Sequence, residues 1–589
     1  MLVTTGDMAD ALEYLDKHET LAVDTETTGL RYHDRLFSVQ FATKDREYHF
    51  DKRLLGGDFQ KLKILFEKPR NYYLQNAKFD MRMLHWEGCT LRGTIHDVEV
   101  LMRLVKNDVM TTRLADTAKR YGMQKLDMVD KYVTKNKLYS KVTSKHWDKT
   151  YEYKHYDQVP LDIMAEYAAH DARITYDLAE ILLKELPPSS IPVYENECKL
   201  IPICFDMEMH GALIDRQYTE DMLKFESGLI HEAKREFLLA TGRIYNGSKQ
   251  QLLDVFSRAG EIIPKTDRGN PSLTDDILDS FKSPAAKIVQ KVRHYEKRCS
   301  TYYSSFLDLC DDQGRIHADM RQAGTTTGRF SYRDPNLQNI PKEDDQEDLT
   351  KANLIRRCFV PEPGHILMSI DFSQQEYRLM LAYANEKELI EQVMGGMDLH
   401  DATARLIGIS RKHAKTLNFA QLYGAGTENL ADMLDISVVK AASMRNKYYC
   451  SLPKVIQLIQ NVKRKALAEG YVTNWLGRRL HLPGGISNMA YAMPNHLIQG
   501  SGADVCKRAM VLLNDELKGT DIKMFMQIHD AVNFYVPKDQ MHHIPKIKET
   551  MENCFPEKNG IRMKVDVMYS DRSMAEADME DYDEKHFVS

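Results

Sequence analysis

No C-x-x-C pair occurs in the 589 residues. The nine cysteines stand singly, at Cys89, Cys198, Cys204, Cys299, Cys310, Cys358, Cys450, Cys506 and Cys554. A zinc ribbon and a disulfide framework are therefore not expected, and a reducing compartment fits. No apolar run approaches the ~20 residues of a membrane-spanning helix. The opening stretch MLVTTGDMADALEYLDKHE carries acids early and lacks a basic region followed by an apolar core, so neither a signal peptide nor a membrane partner is expected. Internal repeats and low-complexity segments are also missing. An excess of basic charge is lacking as well: 80 Lys and Arg against 86 Asp and Glu leave −6. That sum argues against a uniformly basic nucleic-acid-binding surface. The deficit is local, because residues 571–589 hold seven acids and two bases. The remainder is close to neutral, with acidic and basic clusters side by side. Such a chain can gather metal-binding acids in one place and phosphate-gripping cations in another, although an ordinary mixed surface gives the same total.

What is present exceeds one core, so several domains are expected. Residues 1–187 alternate strand-like pieces (TLAVDTET, LFSVQFAT, EYHF) with helical ones, the pattern of an α/β domain. KELPPSSIP, residues 184–192, has linker composition. Residues 193–310 are predicted to be strongly helical, and strands and helices mix again from about 313. The acidic tail after Asp571 is expected to be disordered. Residues 131–156, KYVTKNKLYSKVTSKHWDKTYEYKHY, interleave seven lysines with five tyrosines and Trp147. Lysines can follow a phosphate backbone while aromatics stack bases, and a solvated loop anchored by its own aromatics is the equal alternative.

Two sets of acids stand on apolar elements. In LAVDTETTGL, Asp24 and Glu26 point to the same face of a predicted strand. Like charges beside an apolar wall need a positive partner. Asp80 follows in NAKFD, and Tyr167 and Asp171 lie four apart in YAAHDARITYDL, on one helix face. A pair of divalent cations held by Asp24, Glu26, Asp80 and Asp171 answers the charge problem, with Tyr167 orienting a water. The second set is Asp371 in HILMSIDFSQQEYR and Asp530 in MFMQIHDAVNFYV, each ending or interrupting a hydrophobic strand. Between them RKHAKTLNFAQLYG places Arg411, Lys415, Phe419 and Tyr423 at four-residue spacing, two cations and two aromatics on one helical face.

DTETTGL, NAKFD and YAAHD, in this order, resemble the three motifs of the tyrosine-bearing DEDD class of proofreading 3′→5′ exonuclease domains, with HDVEVLMRLV fitting the segment after the second motif. DFSQQEYR, RKHAKTLNFAQLYG and QIHDAV resemble motifs A, B and C of family A (DNA polymerase I-like) DNA polymerases. TTTGRFSYRDPNLQNIP, IRRCFVPEPG, DLHDATA, GYVTNWLGRRLHLP and NHLIQGSGADVCK agree. The resemblance implies α/β and α+β domains: a ribonuclease H-like exonuclease domain (1–187), then a right-hand polymerase. Its thumb and start of palm would span 188–320, palm with motif A 321–385, fingers with motif B 386–480 and palm with motif C 481–570, with the acidic tail at 571–589. It also implies a compact phage-like form without a 5′-nuclease domain.

The resemblance further assigns roles. Asp371, Asp530 and the carbonyl of Phe372 would hold two Mg2+ ions, which Mn2+ can replace, and each active site would use two. Arg411, Lys415 and His400 would hold the triphosphate, with Phe419 and Tyr423 at the base and template side. Glu376 would exclude a ribose 2′-hydroxyl, with Gln374 also at the nucleotide. Arg329, Asn336, Arg378, Asn495, Gln499 and His529 would contact primer-template DNA. The implied partners are primer-template DNA, a single-stranded 3′ end, deoxynucleoside triphosphates and a replisome helicase or single-strand binding protein, for a monomeric enzyme in the bacterial cytoplasm during phage infection. An organellar origin stays open. Three positions depart from the family pattern: Ala531 follows Asp530 where an acid is usual, Gln375 replaces an aliphatic residue, and Tyr491 stands where an arginine is expected. The alternative reading is chiefly a 3′→5′ exonuclease with a weakened polymerase module.

Overall fold

A computed structural model describes residues 1–266, 269–341, 353–422, 424–555 and 558–582. The first sheet is built from β1 (Thr20–Thr27), β2 (Leu36–Ala42), β3 (Glu47–Asp51), β4 (Arg70–Leu74) and β5 (Gly93–Asp97), in the order β3-β2-β1-β4-β5. β1 is central, antiparallel to β2 and parallel to β4. It is buried along almost its whole length, which explains its apolar run Leu21–Val23. The helices Ala77–Trp86 and Leu161–Glu185 pack against it. A hairpin, β6 (Tyr139–Thr143) and β7 (Thr150–Lys154), projects from the same region.

The KELPPSSIP segment is only a short break between two helices, Leu161–Glu185 and Ile191–His210. The second of these packs against both halves of the chain, meeting the helix Ala77–Trp86 on one side and the helix Met493–Glu516 on the other. Residues 193–310 are helical as expected, apart from short pieces such as β8 (Ala212–Leu213), which pairs with β9 (Arg315–Ile316). The helices Arg216–Thr241 and Pro284–Lys297 pair side by side over their own small core of Phe237, Leu252, Phe256, Val289 and Val292. A buried ion pair, Arg298 Nε to Glu226 Oε2 at 2.8 Å, ties the base of that pair together.

β10 (Asp319–Arg321) and β11 (Ser331–Arg333) form a short hairpin. The second large sheet runs β15-β16-β12-β17-β18, from β12 (His365–Phe372), β15 (Lys523–Ile528), β16 (Ala531–Pro537), β17 (Val565–Ser570) and β18 (Glu580–Asp581). Its faces join the largest core, together with the helices Gln375–Ala384 and Met493–Glu516. β13 (Tyr471–Thr473) and β14 (Arg479–His481) close a small ribbon beside it.

The expectation of a disordered tail after Asp571 is corrected over residues 571–582. Met574 and Ala575 are buried, Met574 N donates to Phe359 O at 3.0 Å, and β18 pairs with β17. Buried Met574 and Ala575, with these backbone bonds, fasten an otherwise acidic segment. Residues 583–589 lie outside the described residues.

Candidate active sites

In the amino-terminal site, β1 presents Asp24 and Glu26, and the helix Leu161–Glu185 brings Asp171. Carboxylate oxygens of the three lie within 4.8 Å of one another. Asp80, on the helix Ala77–Trp86, is buried beside them and accepts a hydrogen bond from Thr25 Oγ1 at 2.6 Å. A register shift between Glu26 and Thr27 bends β1 at its active end, a common place for a bulge. The N-terminus of the Asp80 helix is held by a second carboxylate: Asp97 accepts from Ala77 N at 2.8 Å, from Asn76 N at 3.2 Å and from Glu99 N at 2.8 Å. One acid thus starts two helices.

Burial and mutual repulsion raise all these acids. Asp24 is pushed up to about 7 by desolvation and by Asp171. Desolvation and Asp24 lift Glu26 and Asp80 well above the carboxylate range. Burial raises Asp171 too, against the pull of Lys125. Lys125 Nζ stands 2.5 Å from Asp171 Oδ2, and Asp171 Oδ1 is buried with no hydrogen-bond partner among the described residues. One ammonium against four carboxylates leaves the cluster short of positive charge. An all-oxygen donor set with an orphaned oxygen fits hard divalent cations. Tyr167 lies against the same acids, and burial together with the Asp171 and Glu26 fields pushes its phenol far up, so it stays a proton donor.

The carboxy-terminal site is assembled by sheet register. Asp371 sits opposite Ala531 on β16 and opposite Asp566 on β17. Ile528 pairs with Ala531, so His529 and Asp530 form a two-residue turn beside Asp371. Phe372 N donates to Asp530 O at 3.4 Å. His529 takes a positive φ of 55° in this turn. Gln338 clamps it: its Oε1 accepts from His529 N at 2.7 Å, and its Nε2 donates to Gln527 Oε1 at 2.8 Å. Asn336 caps the short turn carrying Gln338, accepting from Gln338 N at 3.2 Å. Among the described residues the only group of three acids within mutual ligand distance is the amino-terminal one.

The helix Arg411–Leu422 carries Arg411 and Lys415 exposed and Phe419 half-buried, while Ala414, Leu417 and Ala420 are buried behind. Tyr423 lies outside the described residues. Arg411 is held by Asp398, at 3.0 Å from Nη2 and 3.1 Å from Nε, and Gln374 Nε2 donates to the same carboxylate at 2.8 Å. These donors outweigh burial and hold Asp398 well below the usual carboxylate range. His400 is buried, its Nδ1 3.1 Å from Asn418 Nδ2 and its ring 5.9 Å from that of Phe419. Burial and the nearby Arg411 and Lys415 keep it neutral against Asp398.

Of the residues expected to meet DNA, Asn495 and Gln499 are half-buried on the helix Met493–Glu516, with Asn495 Oδ1 unpartnered among the described residues. Arg329 pairs with Glu376. Arg378 is buried, and its guanidinium donates to the carbonyls of Ser373 (3.1 Å) and Arg562 (3.3 Å). It braces motif A from below. Gln375 is buried against Gly502, where an added Cβ would lie 2.5 Å from its Oε1, so the small residues of GSGADV make room for it. Tyr491 is exposed.

Sequence reasoning missed Lys125, Asp97, Gln338, Asp398 and Asp566. It also missed a buried network in which Arg478 binds Asp504 at 2.6 Å and Glu197 at 2.5 Å, and Lys507 binds Glu197 at 2.5 Å. Arg478 and Asp504 lie inside GYVTNWLGRRLHLP and NHLIQGSGADVCK, blocks whose charges were therefore a visible signal.

Sequence comparison agrees with this geometry. The profile of DNA polymerase family A matches residues 215–574, and that of a 3′-5′ exonuclease matches residues 1–187. The chain is 28% identical over 585 residues to DNA polymerase I of Pseudomonas aeruginosa, covering 90% of this chain but 61% of that one. It is 27% identical over 560 residues to the DNA polymerase of Mycobacterium phage L5, covering 91% and 90%. Among solved structures, the POL domain of Pol1 from M. smegmatis, in complex with DNA primer-template and dNTP, shares the fold with a TM-score of 0.81 at 24% identity, over 98% of this chain and 99% of that chain. No described helix is long and apolar enough to cross a membrane. The chain belongs to DNA polymerase family A and carries a 3′-5′ exonuclease domain over residues 1–187.

Proposed function

We propose that this protein extends a primer 3′ end with deoxynucleoside triphosphates on a DNA template and removes nucleotides from a single-stranded 3′ end at a second, separate site, in phage DNA replication. The observation that carries the reading is the presence of two carboxylate sets, one at each large sheet, the first short of counter-charge and the second followed at once by Gln374, which shares the Asp398 carboxylate with Arg411 of the Arg–Lys–Phe helix stripe.

Magnesium would be held by Asp24, Glu26, Asp80 and Asp171 at one site, and by Asp371, Asp530 and the Phe372 carbonyl at the other. Bound there, it supplies charge stabilisation for in-line phosphoryl transfer. The chain's own residues do the rest. Tyr167, kept protonated, holds the attacking water by a hydrogen bond. Arg411 and Lys415 grip the triphosphate, which requires Arg411 to leave Asp398. Phe419 flanks the base, with neutral His400 behind it. Gln338 fixes the turn that carries Asp530. Glu376, held by Arg329, walls the sugar. Asn495 and Gln499 face the duplex, and His529 reaches the primer end.

Primer extension tests the reading. Asp371→Ala is expected to abolish extension and spare digestion of single strands, and Asp24→Ala with Glu26→Ala is expected to do the reverse. Extension surviving the first change sinks the polymerase assignment. Digestion in the wild type without any extension would favour a nuclease with a weakened polymerase module, a reading that Ala531 alone supports.

A further inference from the structure

The β6–β7 hairpin is built as a bridge. An isolated two-stranded ribbon is marginal in water, so its placement depends on its ends. At the base, Asp130 receives Tyr156 OH at 2.8 Å and Lys154 Nζ at 2.7 Å. At the tip, Ser144 Oγ donates to Asp308 Oδ1 at 2.9 Å, Tyr151 OH reaches Asp308 Oδ2 at 3.4 Å, and Trp147 packs on the large carboxy-terminal core. One end therefore lies beside the amino-terminal acids and the other on the polymerase body. Tyr156 marks the first end: burial, the Asp130 bond and the fields of Glu26 and Asp171 all push its phenol up.

The two faces of the ribbon differ. Tyr139, Lys141, Thr143, Thr150, Glu152 and Lys154 are all exposed. The other face presents Tyr151 and Tyr153, half-buried, with Arg31 lying 4.2 Å over the Tyr153 ring. Residues two apart on a strand are separated by about 6.8 Å. That is twice the roughly 3.4 Å rise per nucleotide of a duplex strand, a spacing for an unstacked strand, one base per ring. Lys135, Lys137 and Lys145 are exposed and form no ion pair among the described residues. Lys149 stands 4.7 Å over Tyr151. Aromatics at nucleotide spacing with unneutralised lysines alongside are the chemistry of a sequence-indifferent single-strand track.

We propose that the β6–β7 hairpin is a guide for single-stranded DNA, along which an unpaired primer 3′ end passes from the polymerase body to the Asp24–Glu26–Asp171 cluster. The proposal rests on the exonuclease reading above.

The test uses the full chain with magnesium and two substrates, a trinucleotide and a long oligothymidine. The variants are Lys137→Gln/Lys145→Gln/Lys149→Gln, Tyr151→Ala/Tyr153→Ala and Tyr151→Phe/Tyr153→Phe. The first two are expected to raise KM for the long strand about tenfold, within the range of stacking and phosphate contacts, and to leave the trinucleotide unchanged. The Phe pair keeps both rings and leaves the tip held by Ser144 and Trp147, and is expected to behave as wild type. The lysine variant should flatten the salt dependence of long-strand binding by about 2 in the log–log slope, ~0.7 per contact. Matched-primer extension serves as the check on folding. Unchanged KM and slope for the long strand overturn the guide, and so does an equal loss on the trinucleotide, which would place the effect in the acid cluster. A wild type that digests neither substrate overturns the exonuclease reading itself.

Discussion

Lys125 Nζ lies 2.5 Å from Asp171 Oδ2, with the Tyr167 ring 5.0 Å from the same ammonium. Among the described residues it is the lysine placed among the amino-terminal acids, and it partly answers their charge. The rest of the answer sets how this half responds to pH and metal. The acids bind protons more tightly folded than unfolded, with Asp24 at about 7. Without metal, the folded state therefore loses stability as pH rises from the ordinary carboxylate value, ~4, towards 7. In chelator, Tm is expected to fall over this window, and Asp24→Asn with Glu26→Gln should flatten the fall. Magnesium at about 100 times its Kd should restore ~2.7 kcal/mol at high pH. A Tm in chelator that rises with pH in the wild type relative to that variant would contradict the assignment.

Gln338 is the support that sequence motifs did not reveal for the turn carrying Asp530, through His529 N and Gln527. Gln338→Ala leaves His529 N without its acceptor, a loss of ~1–3 kcal/mol in positioning. Extension kcat is expected to fall about tenfold, with digestion of single strands unchanged. Single-turnover extension at saturating nucleotide measures it; equal loss at both sites would mean general unfolding instead.

Asp566 shares the face of Asp371 from the opposite neighbouring strand, while Ala531 leaves the other side uncharged. Asp566→Asn is expected to raise the half-saturating magnesium for extension, and Ala531→Glu to lower it. Each change should be about 1.4- to fivefold, the size of a charge interaction of ~0.2–1 kcal/mol near a surface. Magnesium titration of primer extension decides; a Asp566→Asn curve that superimposes on wild type removes Asp566 from the site.

Arg478 is fully buried between Glu197 and Asp504. Arg478→Met leaves the buried Asp504 without its cation, while Glu197 keeps Lys507, and is expected to cost about 3–5 kcal/mol, a loss typical of breaking a buried pair. Chemical denaturation followed by circular dichroism measures it.

Much of this was legible in sequence because it repeats with a period. The face shared by Asp24 and Glu26, the Arg411–Lys415–Phe419 stripe and the Tyr167–Asp171 pair follow from strand and helix geometry, and the structure places each set on one element. Lys125, Gln338 and Asp398 lie in turns or at a helix start, where no periodicity marks them and only the tertiary fold chooses their partners. That Arg378 is buried on its motif helix could not be read, because burial of an arginine leaves no trace in spacing. The tail was misjudged because acidity outweighed Met574 and Ala575, which are few but buried.

Lys78, two residues before Asp80, reaches out of its own sheet's territory to Glu208 at 3.0 Å and Asp319 at 3.4 Å. Glu99 likewise pairs with Arg321, and Arg103 donates to Ala323 O at 3.2 Å. In the gene the two activities read as separable cassettes. In the folded chain a cut near residue 187 would strand charges on both fragments and strip one helix of the anchor beside Asp80. Swapping either cassette with that of a relative is therefore a problem of matching these pairs across the seam, before any question of catalysis arises.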